Sequence, residues 1–211
     1  MNDNTLRKDI LKELFNISVG KSASILSEII DKKILLNVPD VEILDIKDNK
    51  IQLDKYFNDI IEGAIMVSSI SFKERSAGRA SLIFPADKMR NFINLCLHEE
   101  SKDEYCDLNF TDIDFDIIKE VGNIVLNSII GEIGNYINIK FNYMLPEIKV
   151  FNRMDIEKFI ENEEYTYILM LYVTFNIENS KIEGAIVINF TLKFLDEILK
   201  KIYMMEVDFN G

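Results

Sequence analysis

Asp9, Glu13 and Asn16 are spaced at four and three residues, and Pro39 follows the asparagine after 22 intervening residues. Asp116, Glu120, Asn123 and Pro146 repeat that spacing, again with 22 residues before the proline. On a helix, residues three and four apart share one face, so each Glu stands beside its Asn. An Asn amide both accepts and donates hydrogen bonds without ionising. A Glu–Asn pair therefore suits positioning rather than strong base catalysis. Glu-x2-Asn alone is a common feature of solvated helix faces. The full pattern is far rarer, because the chain has only 3 prolines, and two copies at matching places carry more weight than one.

Other chemistries find little support. With a single histidine, His98, serine-nucleophile and multi-His metal-hydrolase readings are weak. Near Glu99 and Glu100, it reads as a surface or capping residue. Cys96 and Cys106 form no CxxC pair and read as reduced thiols. Lys plus Arg total 24 against 36 Asp plus Glu, a net charge of −12, which repels nucleic acid. The N-terminus lacks the apolar core of a signal peptide. The longest apolar stretch, Tyr165 to Phe175, is interrupted by Thr166 and Thr174 and reads as a buried strand, not a membrane span. The expected location is the cytoplasm, with no membrane insertion.

The elements that must hold the two motifs also repeat. Helical spacing runs from about Leu6 to Lys32, with Leu6, Ile10, Leu14, Ala23, Leu26 and Ile30 on one apolar face. It returns from about Asp114 to Ile137, with Ile117, Val121, Ile124, Val125, Ile129 and Ile133 inward. Short extended segments follow, Ile34 to Pro39 and Ile139 to Pro146. The prolines read as turn or edge-strand residues that end each helix–strand unit. Gly63 to Phe72 and Gly78 to Phe84 predict one hairpin, and Tyr167 to Phe175 and Gly184 to Phe190 another. Helical patterns close each half, at Ala86 to His98 and Leu192 to Tyr203. The second copy trails the first by about 105 residues.

The predicted fold is α+β: two helix-strand-strand-strand-helix halves about a pseudo-twofold axis, sharing one mainly antiparallel sheet with the signature helices on its face. The halves span approximately residues 1–105 and 106–211 of a single domain, with Glu99 to Asp112 as a solvated joining loop. Two independent domains on that linker is the alternative. A shared sheet is preferred, because three strands alone bury little. Beyond the Glu and Asn, the signature faces continue through Gly20, Ser24 and Ser27, and through Asn127, Gly131 and Gly134. Glycine inside a helix costs about 1 kcal/mol relative to alanine. These glycines serve either the approach of a partner or close packing within the fold.

The doubled Asp-x3-Glu-x2-Asn-x22-Pro pattern resembles the signature of the CheC, CheX and FliY phosphatases, and the resemblance extends over nearly the whole chain. Two sites, without the C-terminal switch domain of FliY-type proteins, resemble CheC most. The resemblance implies a substrate: the aspartyl phosphate of a CheY-like receiver domain. It gives Asn16 and Asn123 the task of orienting the attacking water, and Glu13 and Glu120 that of pairing with the receiver's active-site lysine. Asp9 and Asp116 tune the helix and are not catalytic. No cofactor is expected on this chain; the resemblance puts Mg2+ on the receiver. It also admits CheD as a partner. Two departures stand out: relatives often have Gly before the Asn, where the first copy has Phe15 and the second Gly122, and the second copy has Val125 and Leu126 where the first keeps small residues. The alternatives are a non-catalytic binding module of the same fold, for a receiver or CheD, and a phosphatase of a receiver outside chemotaxis.

Overall fold

The computed structural model describes residues 3–45, 63–73, 77–97, 109–152, 155, 167–177 and 180–210. The first half runs α1 (Asp3–Ile30), β1 (Ile34–Asn37), β2 (Val41–Asp45), β3 (Ala64–Lys73), β4 (Ala77–Pro85) and α2 (Ala86–Cys96). The second runs α3 (Asp112–Ile137), β5 (Asn142–Tyr143), β6 (Glu147–Asn152), β7 (Tyr167–Ile177), β8 (Ser180–Phe190) and α4 (Leu192–Asn210). The fold is α+β, as predicted. The predicted joining loop lies partly outside the described residues, as do His98 and Cys106, and its last residue, Asp112, already belongs to α3.

The strands among the described residues lie in one eight-stranded sheet of order β1-β7-β8-β4-β3-β5, with β2 also on β7 and β6 also on β3. Every pairing is antiparallel. The short strands of each half pair with the long strand of the other half. Neither half completes its own edge, so the two halves share the sheet.

Each half has one strand more than predicted, because the edge strand resumes beyond the signature proline. Asn37 pairs with Thr174 and Val41 with Leu171, so Val38, Pro39 and Asp40 oppose only Val173 and Tyr172. Tyr143 pairs with Phe72 and Glu147 with Ser69, so Met144, Leu145 and Pro146 oppose only Ser71 and Ile70. Both prolines thus sit in a one-residue bulge of an edge strand, where a residue without an N–H does least harm. The bulge also releases the backbone groups of the residue before the proline from the ladder.

The four helices among the described residues bury into a single core on one side of the sheet. Leu11, Phe15, Val19 and Leu26 of α1 and Val121, Val125, Ile129 and Ile133 of α3 meet Phe72, Phe84, Phe175 and Phe190 from the strands there. A smaller cluster, including Ile65, Val67, Ile168 and Met170, occupies the other side of the sheet. With both sides covered, the long strands are apolar almost throughout.

The buried stripe of α1 differs from the predicted one. Ala23, Leu26 and Ile30 point inward as expected, but Ile10 and Leu14 are half-buried, and Leu11, Phe15, Ser18, Val19 and Ser22 take the inner face. The side chain of Leu6 lies outside the described ones. The reason is the neighbouring helix. Ser128 Oγ on α3 donates to the Ser18 carbonyl at 2.9 Å, and Ser22 Oγ donates to the same oxygen at 3.2 Å. Small serines let α1 and α3 approach closely while keeping their hydroxyls satisfied. On α3 the predicted inward set holds for Val121, Val125, Ile129 and Ile133, while Ile117 and Ile124 are half-buried.

The start of α3 is firmly built. Thr111 caps it in a reciprocal box with Asp114, and Phe110 meets Phe115 across the cap with ring centroids 5.9 Å apart. Arg90 on α2 adds an ion pair to Asp114 at 2.9 Å and lies over the Phe110 ring at 4.4 Å. Burial of Asp114 opposes its ionisation. The Thr111 N–H and the Arg90 guanidinium outweigh that and hold the carboxyl below the usual carboxylate range.

Candidate functional site

The two signature helices leave their Glu exposed and hold their Asn half-buried. Glu13 and Glu120 are exposed, and neither has a hydrogen-bond or ion-pair partner among the described residues. Asp9 is exposed, and Asp116 is exposed with Lys119 4.0 Å away. Asn16 and Asn123 are both half-buried, each one turn beyond its Glu. To that extent the two copies match.

They differ in what the Asn amide does. Asn16 accepts from the Val38 N–H at 2.8 Å and donates to the Val38 carbonyl at 3.2 Å and to the Lys12 carbonyl at 2.9 Å. Both ends of its amide are spent on backbone. The Val38 groups it satisfies are those that the Pro39 bulge releases from the sheet. The 22-residue interval thus has a physical basis: it brings a bulge with two unpaired backbone groups against the one side chain that both donates and accepts.

The second copy makes no such strap. The counterpart of Val38 is Leu145, which is 88% exposed, whereas Val38 is 1% exposed. Asn123 instead accepts a hydrogen bond from the Asn127 side chain, Nδ2 to Oδ1, at 2.5 Å. Its own amide nitrogen has no partner among the described residues. That NH2 stands on the exposed face beside a free Glu120 carboxylate.

The residues flanking the two Asn are also placed. Phe15 is fully buried and packs inward, so it does not stand in front of Asn16. Gly122 lies against Ser68 of β3 so closely that a methyl group there would fall on the serine hydroxyl. This contact seats α3 deep on the sheet next to Asn123. Val125 and Leu126 are buried and take no part in the exposed face. Of the signature-face glycines, only Gly134 is required by packing: a Cβ there would lie 2.5 Å from the Ile139 carbonyl, where the chain turns through a left-handed Asn138 (φ 59°). A Cβ on Gly20 would meet nothing, and one on Gly131 only the Tyr143 hydroxyl at 3.6 Å. Those two leave their faces open. Ser24 is exposed, and Ser27 is occupied at the start of β1, where its hydroxyl accepts from the Ile34 N–H at 2.9 Å.

Among the described residues, no group of three or more His, Cys, Asp or Glu is placed to hold a metal ion. No helix among them is long and apolar enough to cross a membrane. Cys96 is half-buried, and burial pushes its thiol up to about 12, far from a reactive thiolate.

The sequence profile of the CheC-like family matches residues 6–43, which include Asp9, Glu13, Asn16, the strap residue Val38 and Pro39. Solved structures extend the likeness over the rest of the chain. The crystal structure of Thermotoga maritima FliY has a TM-score of 0.72 at 19% identity, covering 97% of this chain and 98% of that one. The FliM middle domain from H. pylori has a TM-score of 0.63 at 12% identity, covering 95% and 99%. A chain of the FliG–FliM complex from H. pylori has a TM-score of 0.60 at 12% identity, covering 90% of this chain and 97% of that one. At these identities the shared property is the fold.

Proposed function

We infer that this chain is a phosphatase that hydrolyses the aspartyl phosphate of a CheY-like receiver in chemotaxis, with Glu120 and Asn123 as its stronger site. The observation that carries this reading is the pairing of an exposed, unpartnered Glu120 carboxylate with an Asn123 amide nitrogen free on the same helix face. In this reading Glu120 pairs with the receiver's active-site lysine and draws the helix across the phosphorylated pocket. Asn123 then holds a water in line with the scissile phosphorus–oxygen bond. The receiver's own Mg2+ neutralises the charge that spreads over the phosphoryl oxygens. This chain contributes position rather than a strong base, which can supply several kcal/mol of the barrier reduction.

Glu13 and Asn16 form the weaker site. Glu13 offers the same exposed carboxylate. Asn16 must first give up Val38 before its amide can meet a water, which strips two backbone groups of their partner. For this half, the strap favours a second role: a surface that binds a receiver, or CheD, without hydrolysis.

The test is phosphate release from a phosphorylated CheY-type receiver with Mg2+. Wild type is expected to accelerate release, Asn123→Ala to lose most of that acceleration, and Asn16→Ala to lose less. If wild type binds the phosphorylated receiver yet adds nothing to its own decay, the chain is a binding module.

A further inference from the structure

We propose that Asn127 is a positioning residue for the reaction, holding the Asn123 amide in the one orientation that turns its NH2 outward. This rests on the reading of Asn123 as the water-orienting group. Asn127 lies one turn beyond Asn123 on the same face of α3, and its Nδ2 donates to Asn123 Oδ1 at 2.5 Å. The other end of the Asn127 amide, Oδ1, is buried and has no hydrogen-bond partner among the described residues. A buried amide oxygen without a partner carries a cost, normally of the same order as a lost hydrogen bond. Here the arrangement holds a donor, not an acceptor, against Asn123.

The consequence follows from the two-ended nature of an amide. A carboxamide can rotate by half a turn with almost no change of shape, exchanging its donor and acceptor ends. Left alone on a helix face, Asn123 would present either end to a bound water or phosphoryl group. With an N–H donor already facing it, turning its own NH2 inward would set donor against donor. Asn127 therefore removes the wrong orientation before the receiver arrives. It also occupies one lone pair of Asn123 Oδ1 and leaves the second for a water proton.

The first half shows what happens without this device. The position corresponding to Asn127 is Gly20, four residues after Asn16, with open space around it. There the Asn amide is oriented instead by Val38 and Lys12, at the expense of both its ends. Asn123 is oriented by a side chain that uses only its oxygen. One copy is locked shut and the other is locked open.

The experiment compares wild type, Asn123→Ala, Asn127→Ala and Asn127→Asp in the phosphate-release assay, separating kcat from KM across receiver concentrations. Asn127→Asp keeps the shape of the side chain but faces Asn123 with an acceptor, which invites the NH2 inward. The expected result is a fall in kcat of roughly tenfold or more in both Asn127 variants, as misorientation of a positioned group gives, with KM changed less than about twofold. A parallel 15N NMR spectrum of the side-chain amides reads the hydrogen bond directly. The Asn127 NH2 resonances should move in Asn123→Ala, and the Asn123 NH2 resonances in Asn127→Asp. If Asn123→Ala abolishes the acceleration while both Asn127 variants keep the wild-type kcat, the positioning role is overturned and the phosphatase reading stands. If wild type itself gives no acceleration, the phosphatase reading fails and takes this role with it.

Discussion

Replacing Asn16 with alanine should destabilise the fold far more than the same change at Asn123, although the two residues occupy equivalent places in the doubled signature. Asn16→Ala removes three hydrogen bonds to backbone and leaves the N–H and carbonyl of Val38, a residue 1% exposed, without their partner. Each buried group left unsatisfied costs about 1–3 kcal/mol, and water entering beside the half-buried Asn site would recover part of this. A net loss of about 2–3 kcal/mol is expected on that basis. For a domain of this size, that lowers the melting temperature by roughly 5–10 °C. Asn123→Ala removes a single side-chain bond to Asn127 and no backbone partner, so its loss should stay below about 1 kcal/mol. Asn16→Asp is the sharper control. The carboxylate keeps an acceptor for the Val38 N–H but turns acceptors towards two carbonyl oxygens, so it should be no better than alanine. Urea and thermal unfolding followed by circular dichroism measure all three variants. Equal losses at Asn16 and Asn123, or a loss below about 0.5 kcal/mol at Asn16, would refute the assignment of Asn16 as a strap.

Gly122→Ala should destabilise by about 1–3 kcal/mol through overpacking against Ser68, and should lower phosphate release by shifting α3 and Asn123 off the sheet; wild-type stability in that variant would show that the close contact is not needed. Acid should act through Asp114, the buried cap residue paired with Arg90. Its folded-state pKa is lowered, so its contribution is present above the usual carboxylate value and is lost as pH falls through the lowered one. Stability of the wild type should therefore decline below about pH 4, and Asp114→Asn, which is less stable at neutral pH, should show a flatter acid limb in the same titration.

Much of the architecture was legible in the chain itself. Both hairpins and the four helices among the described residues follow from apolar periodicity. The cap of α3 at Thr111 and Asp114 came only with the structure, because an apolar count starts the helix near Asp114 and capping residues are polar. The inner face of α1 was half legible. Periodicity cannot foresee that Ser18 and Ser22 go inward, since this face meets a second helix whose Ser128 hydroxyl, 110 residues away, donates to the Ser18 carbonyl.

The candidate site divides along the same line. Which residues share a helix face is a local property, set by 3.6 residues per turn, and the sequence by itself determined that Glu13 stands by Asn16, Glu120 by Asn123, and Asn127 one turn further on. The short strands beyond Pro39 and Pro146 escaped notice because an edge strand broken by a bulge shows neither length nor clean alternation. What an Asn amide is free to do was decided only in three dimensions. Two copies of one signature give a closed strap at Asn16 and an open amide at Asn123, because a hydrogen bond needs its partner within about 3 Å. In the first half the Pro39 bulge brings Val38 to that distance, and in the second Leu145 stands out in solvent.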